Sequence, residues 1–159
     1  MGLIFDPAKR TEDMVVELTA YGERATHLEP VLYDIADKMM IAELRMFETR
    51  GATSGRYWSP LRGTTVKIKT KLGVPHIMDP LRRRGDLEES LTVEGAEYQI
   101  LNVDDSRLEF GTEHPAAGYH TTGTKWMAAR PPLIVTKKAA REYIEDIKDF
   151  VFGEGEYDD

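Results

Sequence analysis

The side chains able to do chemistry are few, and their spacing gives them little to do. Of the four histidines, His27, His76, His114 and His120, only the last two lie close together, six residues apart, with Glu113 beside them. Metal sites carry ligands at tighter spacing on a defined helix or strand. A half-buried His120 hydrogen-bonded to backbone fits this stretch better than a metallohydrolase built on Glu113, His114 and His120. The chain has no cysteine, which excludes disulfides, thiolate zinc sites and thiol nucleophiles and permits a reducing compartment. No serine sits in a nucleophile elbow or a Ser-x-x-Lys arrangement. The glycine pairs Gly51/Gly55 and Gly118/Gly123 lack the Gly-Lys-Ser/Thr ending that places a cation and a magnesium ligand on a phosphate. The acidic pairs Asp104-Asp105 and Glu88-Glu89 read as turn chemistry and a solvated face. No catalytic, cofactor-binding or metal-binding residue is assigned, and the chain is expected not to be an enzyme.

Binding has better material. Arg82, Arg83 and Arg84 follow Lys67, Lys69 and Lys71, a basic island suited to phosphates or to an acidic protein surface. The whole chain carries 21 basic against 28 acidic residues, a net charge of −7, which repels nucleic acid. No aromatic residues alternate with the basic ones to stack bases. Protein contact is therefore the favoured use, with a nucleic-acid-associated accessory protein using segment 67–84 as the alternative. Trp58, in a loop with Tyr57, Ser59, Pro60 and Leu61, is either an interface anchor or a pin holding the loop to the core.

These residues need elements to position them. A composition of 41% hydrophobic and 31% charged residues in 159 predicts one folded domain, residues 1–159, with 152–159 as a frayed acidic tail. The start has too short an apolar run for a secretion signal, and no stretch is long enough to span a bilayer, so a soluble cytosolic product is expected. Alternation from Met14 to Tyr21 predicts a strand. Thr26 with Glu29 reads as a capping box, opening a helix to about Thr49 with an apolar stripe of Leu28, Val31, Leu32, Ile35, Met39, Ala42 and Met46 and with Glu43 off it. Residues 50–80 read as mostly loop and a contact surface, with only Thr64–Leu72 able to hold regular structure. Asp86 reads as the N-cap of a short helix. Ala96–Leu101 and Arg107–Phe110 predict a hairpin, followed by a Gly-rich connection. Arg130–Val135 reads as an edge strand or extended segment, and Thr136 as the cap of a last helix with a stripe of Ala140, Tyr143, Ile144, Ile147 and Val151. The expected class is α+β, a small antiparallel or mixed sheet packed against a long helix of the N-terminal half and a C-terminal helix, with a long central loop.

Five blocks in order then give a resemblance. They are Trp58-Ser59-Pro60-Leu61 followed by Thr64 and Lys67; Arg84-Gly85-Asp86-Leu87-Glu88-Glu89-Ser90-Leu91; Phe110-Gly111-Thr112; Tyr119-His120-Thr121-Thr122-Gly123; and Ala129-Arg130-Pro131-Pro132-Leu133. Over residues 28–150 the sequence resembles the virion-morphogenesis or tail-completion proteins of tailed bacteriophages, which act in the neck where head and tail join. Arg84 stands where the family has Thr, and Pro132 where it has Phe. The resemblance implies a non-enzymatic structural protein of the virion, made in the host cytoplasm, that forms a ring around the DNA passage. Its implied partners are further copies of itself, the head connector, and the tail terminator or tail tube, with genomic DNA passing nearby without sequence-specific binding and no membrane. A globule with a radius of gyration near 15 Å needs several copies to enclose such a passage. Trp58, Leu61, Arg84, Asp86, His120 and Arg130 are the contact residues this reading singles out.

Overall fold

One 20-residue helix, residues 29–48, packs against the hairpin, the short helix that opens at Asp86 and the last helix. In the computed structural model, which describes residues 7–153 and side chains from residue 15 onward, the order is α1 (Pro7–Thr26), α2 (Glu29–Glu48), a 3-10 turn (Ala52–Ser54), α3 (Gly63–Lys71), α4 (Asp86–Thr92), β1 (Gln99–Asp104), β2 (Arg107–Thr112), α5 (Ala117–Thr122) and α6 (Lys137–Phe152). The class is α+β: among the described residues, six helices and one two-stranded antiparallel sheet. The expected acidic tail lies, but for its first two residues, outside the described part.

The long helix α2 joins two cores. Near its start Val31, Leu32 and Ile35 are buried against Val103 and Leu108 of the hairpin and Tyr143, Ile147 and Phe150 of α6. Near its end Met46 and Phe47 are buried with Trp58, Leu87 and Leu91, packed by Leu81, Phe110, Leu133 and Ile134. Each such side chain withdrawn from water contributes about 1.5–3 kcal/mol. The expected stripe is correct at Val31, Leu32, Ile35 and Met46. It omits Ala36, Met40 and Phe47, and it misplaces Glu43, which is buried.

The hairpin pairs Gln99 with Thr112 through to Asp104 with Arg107. Its tight turn is held by Asp104, whose Oδ1 accepts from the Ser106 N–H at 2.8 Å and the Ser106 hydroxyl at 2.9 Å. The last helix starts as expected, with the Thr136 hydroxyl accepting from the Ala139 N–H at 3.1 Å. Along α6, Phe150 packs inward, whereas Ile144 is exposed.

Four expectations are corrected. Residues 14–21 are helix, not strand: the eight-residue alternation sits inside a longer segment opened by Pro7 at a first helical position, where proline is pre-organised. Thr26 closes α1 instead of capping α2, its hydroxyl donating to the Glu23 carbonyl at 2.8 Å. The next helix begins at Glu29 without a side-chain cap. At α4 the cap position is Gly85, in the left-handed region at φ 101°, and Asp86 is the first helical residue, where an acid suits the positive end of the dipole. The Gly-rich connection contains a helix, α5, and of the two alternatives for segment 130–135 the edge strand is not formed, since the segment pairs with no strand among the described residues.

Thr136→Ala is expected to lower stability in urea by about 1 kcal/mol. Thr26→Ala, at a position that caps no helix start, is expected to stay within about 0.5 kcal/mol of the parent.

Candidate functional site

The site grows from the turn after α2. Gly51 sits at φ 86°, where a Cβ would come within 2.9 Å of Trp58 Cδ1 as well as meeting the Arg56 carbonyl, so the chain turns back only with glycine there. Trp58 is thereby laid edge-on against Phe47, ring centres 5.2 Å apart, and its indole N–H donates to the Pro131 carbonyl at 3.1 Å. Arg130 answers from the other side. Its Nε donates to the Ser59 carbonyl at 2.6 Å and its Nη2 to the Pro60 carbonyl at 3.0 Å, while its own N–H donates to the His120 carbonyl at 2.6 Å. Both side chains are about 5% exposed. Trp58 is the pin of the two readings, and Arg130 shares that work. As contact residues they are corrected to positioning residues: buried within the protomer, they fix the loop that carries Leu61.

The basic island is divided by burial. Lys69 is 6% exposed, and its ammonium donates to the carbonyls of His76, Asp79 and Arg82 at 2.7, 2.9 and 2.9 Å. Burial pulls it below the usual lysine range, opposed by the nearby Asp79 carboxylate. Arg82 is paired with Glu88, its Nε donating to Oε2 at 2.6 Å, and this bond holds the guanidinium protonated. Lys69 and Arg82 therefore shape segment 76–88 and are not surface phosphate ligands. Lys67, Lys71, Arg83 and Arg84 remain exposed.

Five of the six contact residues singled out by sequence, all but Trp58, line two adjoining depressions. Arg84, Asp86, His114 and His120 border a polar cavity of about 380 Å³ together with Arg83 and Leu81. His114 Nε2 lies 3.4 Å from Asp86 Oδ2. Leu61, His120 and Arg130 border a larger groove of about 630 Å³, lined also by Ile68 of α3, Leu72 just after it, Trp126 and Met127. His120 and Arg83 belong to both. His120 is half-buried as expected, but its Nδ1 has no hydrogen-bond partner, which corrects the expected backbone bond. Burial holds the ring below the usual histidine range, reinforced by the charges of Arg130 and His114. Glu113 is exposed and is not among the residues bordering the polar cavity. Among the described residues, no three metal-ligating side chains gather.

Sequence reasoning missed Trp126 and Ile68, 69% and 58% exposed. The signal for Trp126 was present, an aromatic beside Lys125 in a Gly-rich connection. It also missed Glu43, three residues before Met46 and four after Met39 on α2. Its carboxyl, 3% exposed, lies at the seam between α2 and α6, with Oε2 unpartnered. Burial pushes its pKa from 4.5 up to about 8, against the pull of the Ile134 backbone N–H.

No protein-family model, no curated protein and no solved structure matches this chain. None of the helices among the described residues is long and apolar enough to cross a membrane.

Two stability measurements test the site. Because the folded-state pKa of Glu43 exceeds its unfolded value, its contribution is fully present below about pH 4.5 and is lost as pH rises through 8. At about 1.4 kcal/mol per pH unit this loss is a few kcal/mol. Glu43→Gln is expected to remove that slope and to be more stable than the parent at pH 8. Lys69→Met leaves three carbonyls without their donor and is expected to cost roughly 2–4 kcal/mol in urea denaturation.

Proposed function

We propose that the chain is a non-enzymatic structural protein of a tailed-phage virion, a neck component that completes the tail and joins it to the head connector as one segment of a ring around the DNA passage. The observation that carries the assembly reading is the amount of large apolar side chain one protomer leaves uncovered. Val15, Val16 and Leu18 on α1, Ile68 on α3, Leu72 just after it, and Trp126 are all more than half exposed. Apolar surface of this kind marks interaction sites. In α1 the end nearest α2 is tied down by Tyr21 packed edge-on against Phe152 and by Arg24 Nε donating to the Val151 carbonyl at 2.8 Å.

The neck assignment rests on the five blocks of the resemblance. What supports it is that they work as one unit: Trp58, Leu87, Leu91, Phe110 and Leu133, drawn from four of the blocks, pack in a single core. The fifth joins through the Arg130 N–H on the His120 carbonyl. The geometry uses these residues for shape and contact, which suits a ring segment with further copies, the connector and the tail terminator or tail tube as its neighbours. The virion is the corresponding location, after synthesis in the host cytoplasm.

Infection with a phage unable to make this chain is expected to yield DNA-filled heads and finished tails that do not join, and supplying the chain is expected to restore joining. Arg84→Glu, at an exposed position, is expected to give folded protein that fails to restore it. Infectious particles formed at full titre without the chain would refute the assignment.

A further inference from the structure

The two ends of the α2–α6 pair differ in chemistry, and the chain places them far apart. The helices run antiparallel: Lys38 Nζ meets Asp146 Oδ2 at 2.8 Å, and Glu43, further along α2, faces Tyr143, earlier on α6. The end of α6 therefore lies at the start of α2, where Arg24 holds Val151 and borders Gly153. The groove lies beyond the other end of α2, past Phe47 and Trp58. Between Val31 and Phe47 alone the helix rises about 24 Å.

The six residues following Gly153 are Glu154, Gly155, Glu156, Tyr157, Asp158 and Asp159, four acids around one aromatic. Fully extended, six residues reach about 20 Å. This segment cannot reach its own groove.

The groove has the complementary chemistry. Its walls are apolar at Ile68, Leu72 and Trp126, and its rim carries Arg62 and Arg83, with Arg84 at the adjoining cavity. The other Lys and Arg bordering the groove are engaged: Lys69 on three carbonyls, Arg82 on Glu88, Arg130 on Ser59 and Pro60. The groove's Asp79 is taken by Arg50, with Nε 2.9 Å from Oδ1. Arg62, Arg83 and Arg84 have no ion-pair partner among the described residues, and so are available for an incoming acid.

We infer that the groove receives residues 154–159 of a second copy of this chain, the carboxylates meeting Arg62, Arg83 and Arg84 and Tyr157 lying on the apolar wall. A contact between opposite ends of identical molecules is heterologous and propagates head to tail, closing into a ring where the rotation allows. The inference rests on the ring reading for closure, whereas the contact itself is a property of the purified chain.

A labelled peptide of residues 153–159 is titrated at low salt into full-length chain carrying Glu154→Lys, Glu156→Lys, Asp158→Lys and Asp159→Lys, whose own tail cannot compete. Saturable binding is expected, weakening as salt rises. Arg83→Glu added to that chain is expected to weaken it about tenfold, and a Tyr157→Ser peptide is expected to bind less tightly. The absence of saturable binding, or binding indifferent to Arg83→Glu, overturns the inference. In a second arm, the tail-reversed chain is mixed with a chain carrying Arg62→Glu, Arg83→Glu and Arg84→Glu. Every tail then faces a groove of opposite sign, so sedimentation is expected to show association on mixing beyond that of either chain alone; its absence also overturns the inference. Peptide that does not bind, with particles still failing to join in the chain's absence, would retire this contact and leave the neck assignment standing. Binding peptide with unimpaired infection would do the reverse.

Discussion

The rest of the structure depends on how Trp58 is buried. A large aromatic ring with a polar N–H goes into a core only where the N–H finds an acceptor, and that acceptor, the Pro131 carbonyl, lies 73 residues away in sequence. Satisfying it brings the segment before α6 against the loop after α2. Arg130 completes the clasp by donating back to the loop, so two extended segments without a sheet ladder between them are held side by side. The groove wall, the cavity shared by His120 and Arg83, and the lower core all inherit their positions from this arrangement.

Lys69 does similar work for a different segment. Residues 76–82 lack regular structure, yet three of their carbonyls converge on one ammonium, and the salt bridges of Asp79 and Arg82 add a second layer. A charged group inside the protein is costly unless its hydrogen-bonding capacity is filled, and three carbonyls fill it. The basic island seen in the sequence is thus two populations, one structural and one facing outward.

This division marks what sequence can and cannot tell. Elements whose signals are local were legible: the Thr136 cap, the Asp104 turn, the α2 stripe and the helix after Gly85. The first strand was misjudged because a period of two over eight residues is indistinguishable from part of a helical face until the longer window is weighed. Trp58 remained undecided, and Lys69, Arg130 and Glu43 were misplaced, because their roles depend on partners brought by tertiary packing from tens of residues away or across a helix seam. A lysine in a basic island looks the same on paper whether it meets solvent or three carbonyls. The site was legible as a set of residues, in that Leu61, Arg84, Asp86 and His120 do share neighbouring depressions, but not as a division between residues that shape the surface and residues that form it.

The bond from Arg24 to the Val151 carbonyl spans 127 residues of chain. Contacts this distant cannot form until the loop between them is closed, and the entropy of closing it must be met before the contact returns anything. The junction of α1 with α6 is accordingly among the costlier to close in chain entropy. Until the last helix docks, α1 has neither its aromatic neighbour Phe152 nor its carbonyl acceptor. The described part of the protein thus ends, at Gly153, beside a junction of its first and last helices that joins parts of the chain far apart in sequence.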